Sequence, residues 1–286
     1  LEAVKHWGDW VLEQARKELA EFYLPDPDGS IPVGYIWART IPCQNPGCGA
    51  EIPLMRQFWL AKKAKKRVAL YPKPRPPSRA ANPHGAPALA FRIVGDGYEP
   101  WPEGFDPGAG TVARAVATCP CCGGAVDANT TRRLFRAGEA GQRMVAVVLA
   151  HPKRRGKTYR LATAADEATY GAAEAALSAR RDQLTMEWGM DPVPDEPTPE
   201  GKGSGAERAF SVRNYGMNAW SDLFNVRQRL ALVTFTDQVR RAHARMLTEG
   251  YDPEFARAVA TYLALPLDRA ASSDNTLCRW QPAGEK

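Results

Sequence analysis

Five of the six cysteines fall in two groups whose spacing suits metal chemistry. Cys43 and Cys48 flank a four-residue turn containing Asn45, Pro46 and Gly47 in "IPCQNPGCGAEIPL" (41–54). Cys119, Cys121 and Cys122 sit in "ATCPCCGGAV" (117–126), where Cys119 and Cys122 form a C-P-x-C-G knuckle. Proline and glycine let such a turn fold tightly and aim backbone amides at sulfur. Four thiolates at ~2.3 Å from one ion, in a tetrahedron, make a closed structural zinc site. The expected ligands are Cys43, Cys48, Cys119 and Cys122, with Cys121 a spare thiol; an exchange of Cys121 for Cys122 also fits the spacing. Disulfides would need an oxidising compartment, and nothing in the sequence indicates export. His6, His84, His151 and His243 are scattered without knuckle spacing. Sulfur at all four positions leaves none for water, so the site reads as structural and no catalytic residue is assigned.

The elements that must position these turns follow from periodicity. Val4, Trp7, Val11, Ala15, Leu19 and Phe22 recur at helical spacing over 2–23. "VGYIWARTI" (33–41) leads into the first turn as a strand and "EIPLMRQFWLA" leads out, so the first cysteine pair should cap a hairpin. Further strands are expected at 67–71, 88–93 and 111–117, the last feeding the second knuckle. "DANTTRRLFRAG" reads as a short helix with Asp127 as N-cap, and "RMVAVVLAH" and "KTYRLAT" as a strand pair. A capping box at Thr163–Asp166 opens an alanine-rich helix to about Leu184. "GMDPVPDEPTPEGKGSGAE" (189–207) reads as a linker. Helices are expected over 226–247 and from Asp252-Pro253 through Leu267.

The resulting fold class is α+β: a zinc ribbon with elaborated β-hairpins, flanked by an N-terminal helix and a C-terminal helical region. The expected divisions are 1–25 (helix), 26–162 (zinc ribbon and β-rich domain), 163–207 (helix and linker) and 208–286 (helical region).

Length and charge narrow the class. The chain has 286 residues and a net charge of +6. No apolar run approaches the ~20 residues of a membrane span, and the first residues do not read as a signal peptide. A cytoplasmic protein is expected, and the opening at Leu1 in mid-pattern reads as a piece of a longer chain. The cations cluster around the cysteines: Lys62, Lys63, Lys65, Lys66 and Arg67, then Lys73, Arg75 and Arg79, then Arg132, Arg133 and Arg136, then Lys153, Arg154, Arg155 and Lys157. Such clusters mildly favour an anionic partner, or are simply solvated loops and hairpin tips. The candidate contacts to such a partner, DNA under the family resemblance given below, are Lys62, Lys63, Lys65, Lys66, Arg67, Arg132, Arg133, Arg154 and Arg155.

"FDPGAGTVARA" (105–115) has the Asp-Pro…Gly-x-Gly look of a cofactor loop. A cofactor loop needs a buried strand before it and a helix after it. Here "YEPWPEG" precedes it and a cysteine knuckle follows, so a Pro/Gly turn is expected.

Four stretches carry a family likeness: "GYIWARTIPCQNPGCGAEIPLMRQFWLAKK", "TCPCCG", "YGMNAWSDLFNVRQRLALVTFTDQVR" and "ATYLALPLDRAASSDNTLCRW". Together they resemble the zinc-ribbon-containing adenine-specific DNA methylases, large bacterial and archaeal proteins often associated with restriction or phage defence. The resemblance covers nearly the whole chain, least so at 72–110 and 185–207. It implies methyl transfer from S-adenosylmethionine to the exocyclic amine of adenine in DNA, with Cys43, Cys48, Cys119 and Cys122 holding structural zinc. The family's glycine-rich cofactor motif and its Asp-Pro-Pro-Tyr catalytic motif have no counterpart in this sequence. The resemblance therefore implies an internal portion that binds no S-adenosylmethionine, is inactive alone, and works with DNA and the rest of the methyltransferase chain. The competing expectation is a non-enzymatic zinc-stabilised docking module for a partner protein in a restriction or defence complex. Asp222–Gln228 and Asp268–Arg279 match recurring family segments. Arg227, Gln228 and Arg269 are candidates for DNA contact or for helix packing, and Trp220 and Trp280 for packing.

Overall fold

A computed structural model describes residues 1–75, 87–201 and 210–286. Arg79, His84 and residues 202–207 of the expected linker lie outside the described residues. The fold is mixed α and β, with antiparallel sheets and five α-helices among the described residues. No helix among them is long and apolar enough to cross a membrane. The chain separates into two compact units: a helical one (1–24, 164–198, 218–278) and a sheet-rich one (25–163, 199–217, 279–286).

In the sheet-rich unit β1 (Ile31–Pro42) and β2 (Glu51–Leu54) form the first hairpin, ending at the pair Pro42↔Glu51. β3 (Trp59–Lys63), β4 (Lys66–Arg75) and β5 (Ala88–Gly95) form a three-stranded sheet. β6 (Val112–Ala113), β7 (Val116–Thr118) and β8 (Ala125–Val126) form a small meander. α2 (Ala128–Arg136) follows β8, whereas α1 (Glu2–Leu19) belongs to the helical unit. β9 (Gly141–Ala150) and β10 (Lys157–Leu161) complete a sheet of order β10-β9-β1-β2. β9 lies between two neighbours and is buried from Met144 to Leu149, as its unbroken apolar run requires. The two larger sheets share one core: Phe58, Leu60, Val68, Leu70, Phe91 and Ile93 pack with Val145, Val148 and Tyr159.

The expected single strand at 111–117 is instead a hairpin. Arg114 and Ala115 both adopt positive φ (49° and 63°), which turns β6 back onto β7 in two residues. Thr111 fixes the entry, its hydroxyl donating to the Pro53 carbonyl while accepting the Met55 N–H at 2.9 Å. The "FDPGAG" stretch is a turn: Asp106 Oδ1 accepts the Gly108 N–H at 2.8 Å. Gly110 lies so close to the chain that a Cβ would meet the Met55 carbonyl oxygen at 2.1 Å. Glycine there serves a close backbone approach.

The helical unit comprises α1 (Glu2–Leu19), α3 (Ala164–Trp188), α4 (Val226–Thr248) and α5 (Pro253–Ser273). Trp7 and Val11 of α1 pack with Val239, Ala242 and Met246 of α4 and Val259 and Leu263 of α5. α3 outruns its expected end by four residues, and α5 continues through Pro266 to Ser273. Buried inside this unit, Asp237 accepts from Arg180 and, at 2.8 Å, from Arg241 Nε. The Asp222–Gln228 segment serves local structure. Asp222 accepts the Asn218 and Ala219 N–H groups, and Asn225 and Gln228 cap α4 reciprocally. Arg227 is 4 % exposed, donates to the Phe22 carbonyl and faces the Tyr23 and Tyr170 rings, so it packs rather than reaching outward.

Candidate metal centre

The first cysteine turn is built by its own backbone. Cys43 N–H donates to the Ala50 carbonyl at 2.8 Å, extending the β1–β2 ladder by one bond. Cys48 and Gly49 N–H both donate to the Asn45 carbonyl, and the Asn45 side chain accepts from Gly47 N–H at 3.0 Å. The second turn repeats the plan between β7 and β8. Cys119 N–H donates to Gly124 O at 2.8 Å and Gly123 N–H to Cys119 O at 2.9 Å. Gly123 takes φ +73°, and a Cβ on Gly124 would approach the Cys122 sulfur to 3.2 Å. Glycine at both positions keeps the thiol tip open.

The two turns meet. Cys43 Sγ lies 3.6 Å from Cys122 Sγ, and Cys48 Sγ 3.8 Å from Cys119 Sγ. The ligand atoms of Cys43, Cys48, Cys119 and Cys122 all lie within 4.8 Å of one another, so these four residues can hold a metal ion. Ligands at ~2.3 Å from a tetrahedral centre are ~3.8 Å apart, which is the scale found here. Cys121 is not in the set and packs beside the hydrophobic cluster under the turns.

Burial pushes the Cys43 thiol up to about 12, and burial also raises Cys48. The Gly124 N–H, 3.4 Å from its sulfur, leads the effects that bring Cys122 down to about 7. Crowded thiols of this kind lose their protons to a bound cation. Beneath them Ile41, Ala50, Ile52, Ala117, Val126 and Leu134 form an apolar floor. Leu134 comes from α2, which Asp127 caps by accepting from the Asn129 and Thr130 N–H groups.

The basic residues divide. Lys62, Lys63, Lys65, Lys66 and Arg67 form the tip of the β3–β4 hairpin, with Lys62 opposite Arg67 and Lys63 opposite Lys66. Lys66 Nζ donates to the Lys157 carbonyl at 2.5 Å, which brings this tip beside the β9–β10 turn carrying Arg154 and Arg155. Lys63 and Lys66 both pair with Glu285, and Arg154 pairs with Asp28 at 2.5 Å. Lys62 and Arg67 lie over the Trp59 ring at 5.5 and 5.2 Å. Lys62, Lys65, Arg67 and Arg155 are exposed and form no ion pair among the described residues. Arg132 and Arg133 lie apart from that tip, on α2 beside the cysteine turns, where Arg133 reaches Glu139 and Gln44 at 3.4 and 3.3 Å. Trp280 is an anchor, its Nε1 donating to the Leu60 carbonyl at 2.7 Å, whereas Trp220 is 41 % exposed.

Comparison of the chain with family models, with curated proteins and with solved structures returns no match.

Proposed function

We propose that this chain is the zinc-stapled, DNA-contacting portion of an S-adenosylmethionine-dependent adenine methyltransferase. Cys43, Cys48, Cys119 and Cys122 hold Zn²⁺ as a structural cross-link between two hairpin tips. One observation carries the reading: the four sulfurs gather within 4.8 Å on the same residues that the family resemblance names as ligands. A zinc ion there supplies a cross-link and leaves no position for substrate or water. The resemblance assigns the methyl-transfer chemistry to the cofactor and Asp-Pro-Pro-Tyr motifs, which this sequence does not contain, so these residues are read in a supporting part. Its part is to grip the duplex through phosphate contacts, for which Lys62, Lys65, Arg67 and Arg155, exposed and without an ion pair among the described residues, are available.

Duplex affinity of the zinc-loaded chain, measured against salt, tests this. Each phosphate contact contributes about 0.9 to the slope of log K against log salt. Lys62→Gln with Arg67→Gln should therefore flatten the slope by ~1.8, equally for unrelated sequences. A folded, zinc-loaded chain that binds no duplex at low salt would remove the nucleic-acid role and leave a docking module.

A further inference from the structure

The basic hairpin ends on a carboxylate from far along the chain. Glu285 is 4 % exposed, and it accepts from the ammonium groups of Lys63 and Lys66, the latter at 2.6 Å, and from the Tyr159 hydroxyl. The three donors come from β3, β4 and β10, so the pocket belongs to the sheets and not to the segment that fills it. Tyr159 is 3 % exposed, its hydroxyl also reaches the Leu60 carbonyl, and its ring lies 4.9 Å from Lys66 Nζ. Segment 279–286 delivers the carboxylate along the outer edge of β3. Pro282 O accepts the Lys62 N–H at 3.0 Å, and Lys157 Nζ donates to the Glu285 carbonyl.

Three observations make Glu285 a displaceable occupant. The ammonium groups of Lys63 and Lys66 close on one carboxylate and that of Lys157 on the backbone carbonyl of the same residue, so the pocket's field still favours a more highly charged anion. A phosphate entering the pocket would supply the negative charge that Glu285 supplies, so the exchange never leaves the two lysines without a counter-charge. Glu285 itself takes φ +51°, a left-handed conformation that a residue with a side chain adopts at a cost, inside a 281–286 turn closed by backbone hydrogen bonds between Gln281 and Lys286. Burial alone would raise its carboxyl; hydrogen bonds from Lys63, Lys66 and Tyr159 hold it at about 2 instead.

We infer that Lys63, Lys66 and Tyr159 form a phosphate-binding site, and that Glu285 occupies it so that segment 279–286 competes with phosphate for the basic hairpin. This rests on the nucleic-acid reading only where the phosphate is that of DNA.

The test compares wild type with Glu285→Gln in the full zinc-loaded chain, using a DNA duplex and inorganic triphosphate as probes. Freeing two lysines should steepen the duplex salt slope by ~1.8, a further ~12-fold loss of affinity between 50 and 200 mM salt. Adding Lys63→Gln and Lys66→Gln to that variant should return the slope to the wild-type value. Triphosphate, followed by calorimetry, should bind the variant more tightly than wild type. A gain with triphosphate while neither protein binds duplex keeps the site and removes the DNA reading; a gain with duplex alone restricts the site to backbone phosphate. Unchanged affinity for both probes overturns the inference. So does loss of the cooperative unfolding transition in Glu285→Gln, which would make Glu285 a structural pin.

Discussion

Replacing Cys122 by serine should cost the protein its metal and much of the order around the meander, whereas Cys121→Ser should cost neither. The ion would join turns far apart in sequence, since Cys48 and Cys119 are 71 residues apart. In the chain-entropy account of a cross-link, closing a loop of that length removes roughly 4 kcal/mol of freedom from the unfolded chain. Mass action gives the same scale independently: an ion present at a thousand times its Kd stabilises by about 4 kcal/mol. A unit of this size shifts its Tm by roughly 2–4 °C per kcal/mol, so Cys122→Ser should lower the transition by about 8–16 °C. The loss should be local. β6, β7 and β8 are two- and three-residue strands that cannot stand alone, while the core around Leu70, Phe91 and Val148 does not depend on the cysteines. The assay combines metal analysis of the purified reduced protein, calorimetry and amide exchange. Protection should fall at 112–126 and persist in β9. Wild-type protein without bound metal, or Cys122→Ser with full metal content, would refute the ligand set. Metal loss in Cys121→Ser would refute the choice between the two neighbouring thiols.

Leu134→Ala should cost about 2–5 kcal/mol, because Leu134 is fully buried under the cysteine turns and leaves a cavity there; denaturant unfolding measures it. Asp237→Ala should cost about 3–5 kcal/mol by stranding Arg180 and Arg241, whose charges it answers from a side chain 1 % exposed. The Asp237→Ala loss should appear in chemical unfolding of the helical unit and leave metal content unchanged. The Glu285 carboxyl, held at about 2 against an ordinary 4.5, adds stability that is present above pH ~4.5 and is lost as pH falls towards 2. The Tm advantage of wild type over Glu285→Gln should shrink through that window and be constant above it; a constant difference at all pH values would deny the ionic contribution.

What could be read in the sequence was local. Asp127 was readable as a cap because an Asx side chain answers amides two and three residues on, and the structure has it do so. The cysteine hairpin was readable because Asn45, Pro46 and Gly47 permit few other turns. The break of 111–117 at Arg114 and Ala115 was hidden, since neither residue type announces a positive φ. Tertiary contacts set that turn: Thr111 is held by the 53–55 backbone, and Cys119 must return to face the first turn. Hidden too was the length of α5, where Pro266 is accommodated inside the helix rather than ending it.

The basic cluster shows most clearly why charge in a sequence underdetermines its use. Lys62, Lys63, Lys65, Lys66 and Arg67 are one run in the chain, but strand pairing sorts them by face. Lys63 and Lys66 are directly opposite and turn together onto Glu285, while Lys62 and Arg67, also opposite, share the Trp59 ring. A two-residue period thus converts one uniform cationic run into an inward pair that holds a buried carboxylate and an outward set left open to solvent. No signal near residue 63 points to residue 285, because the partner is supplied by sheet topology and not by neighbouring sequence. The same pairing makes the cluster's two halves separable by experiment: substitutions at Lys62 and Arg67 act on an exposed surface, whereas those at Lys63 and Lys66 act first on an internal ion pair.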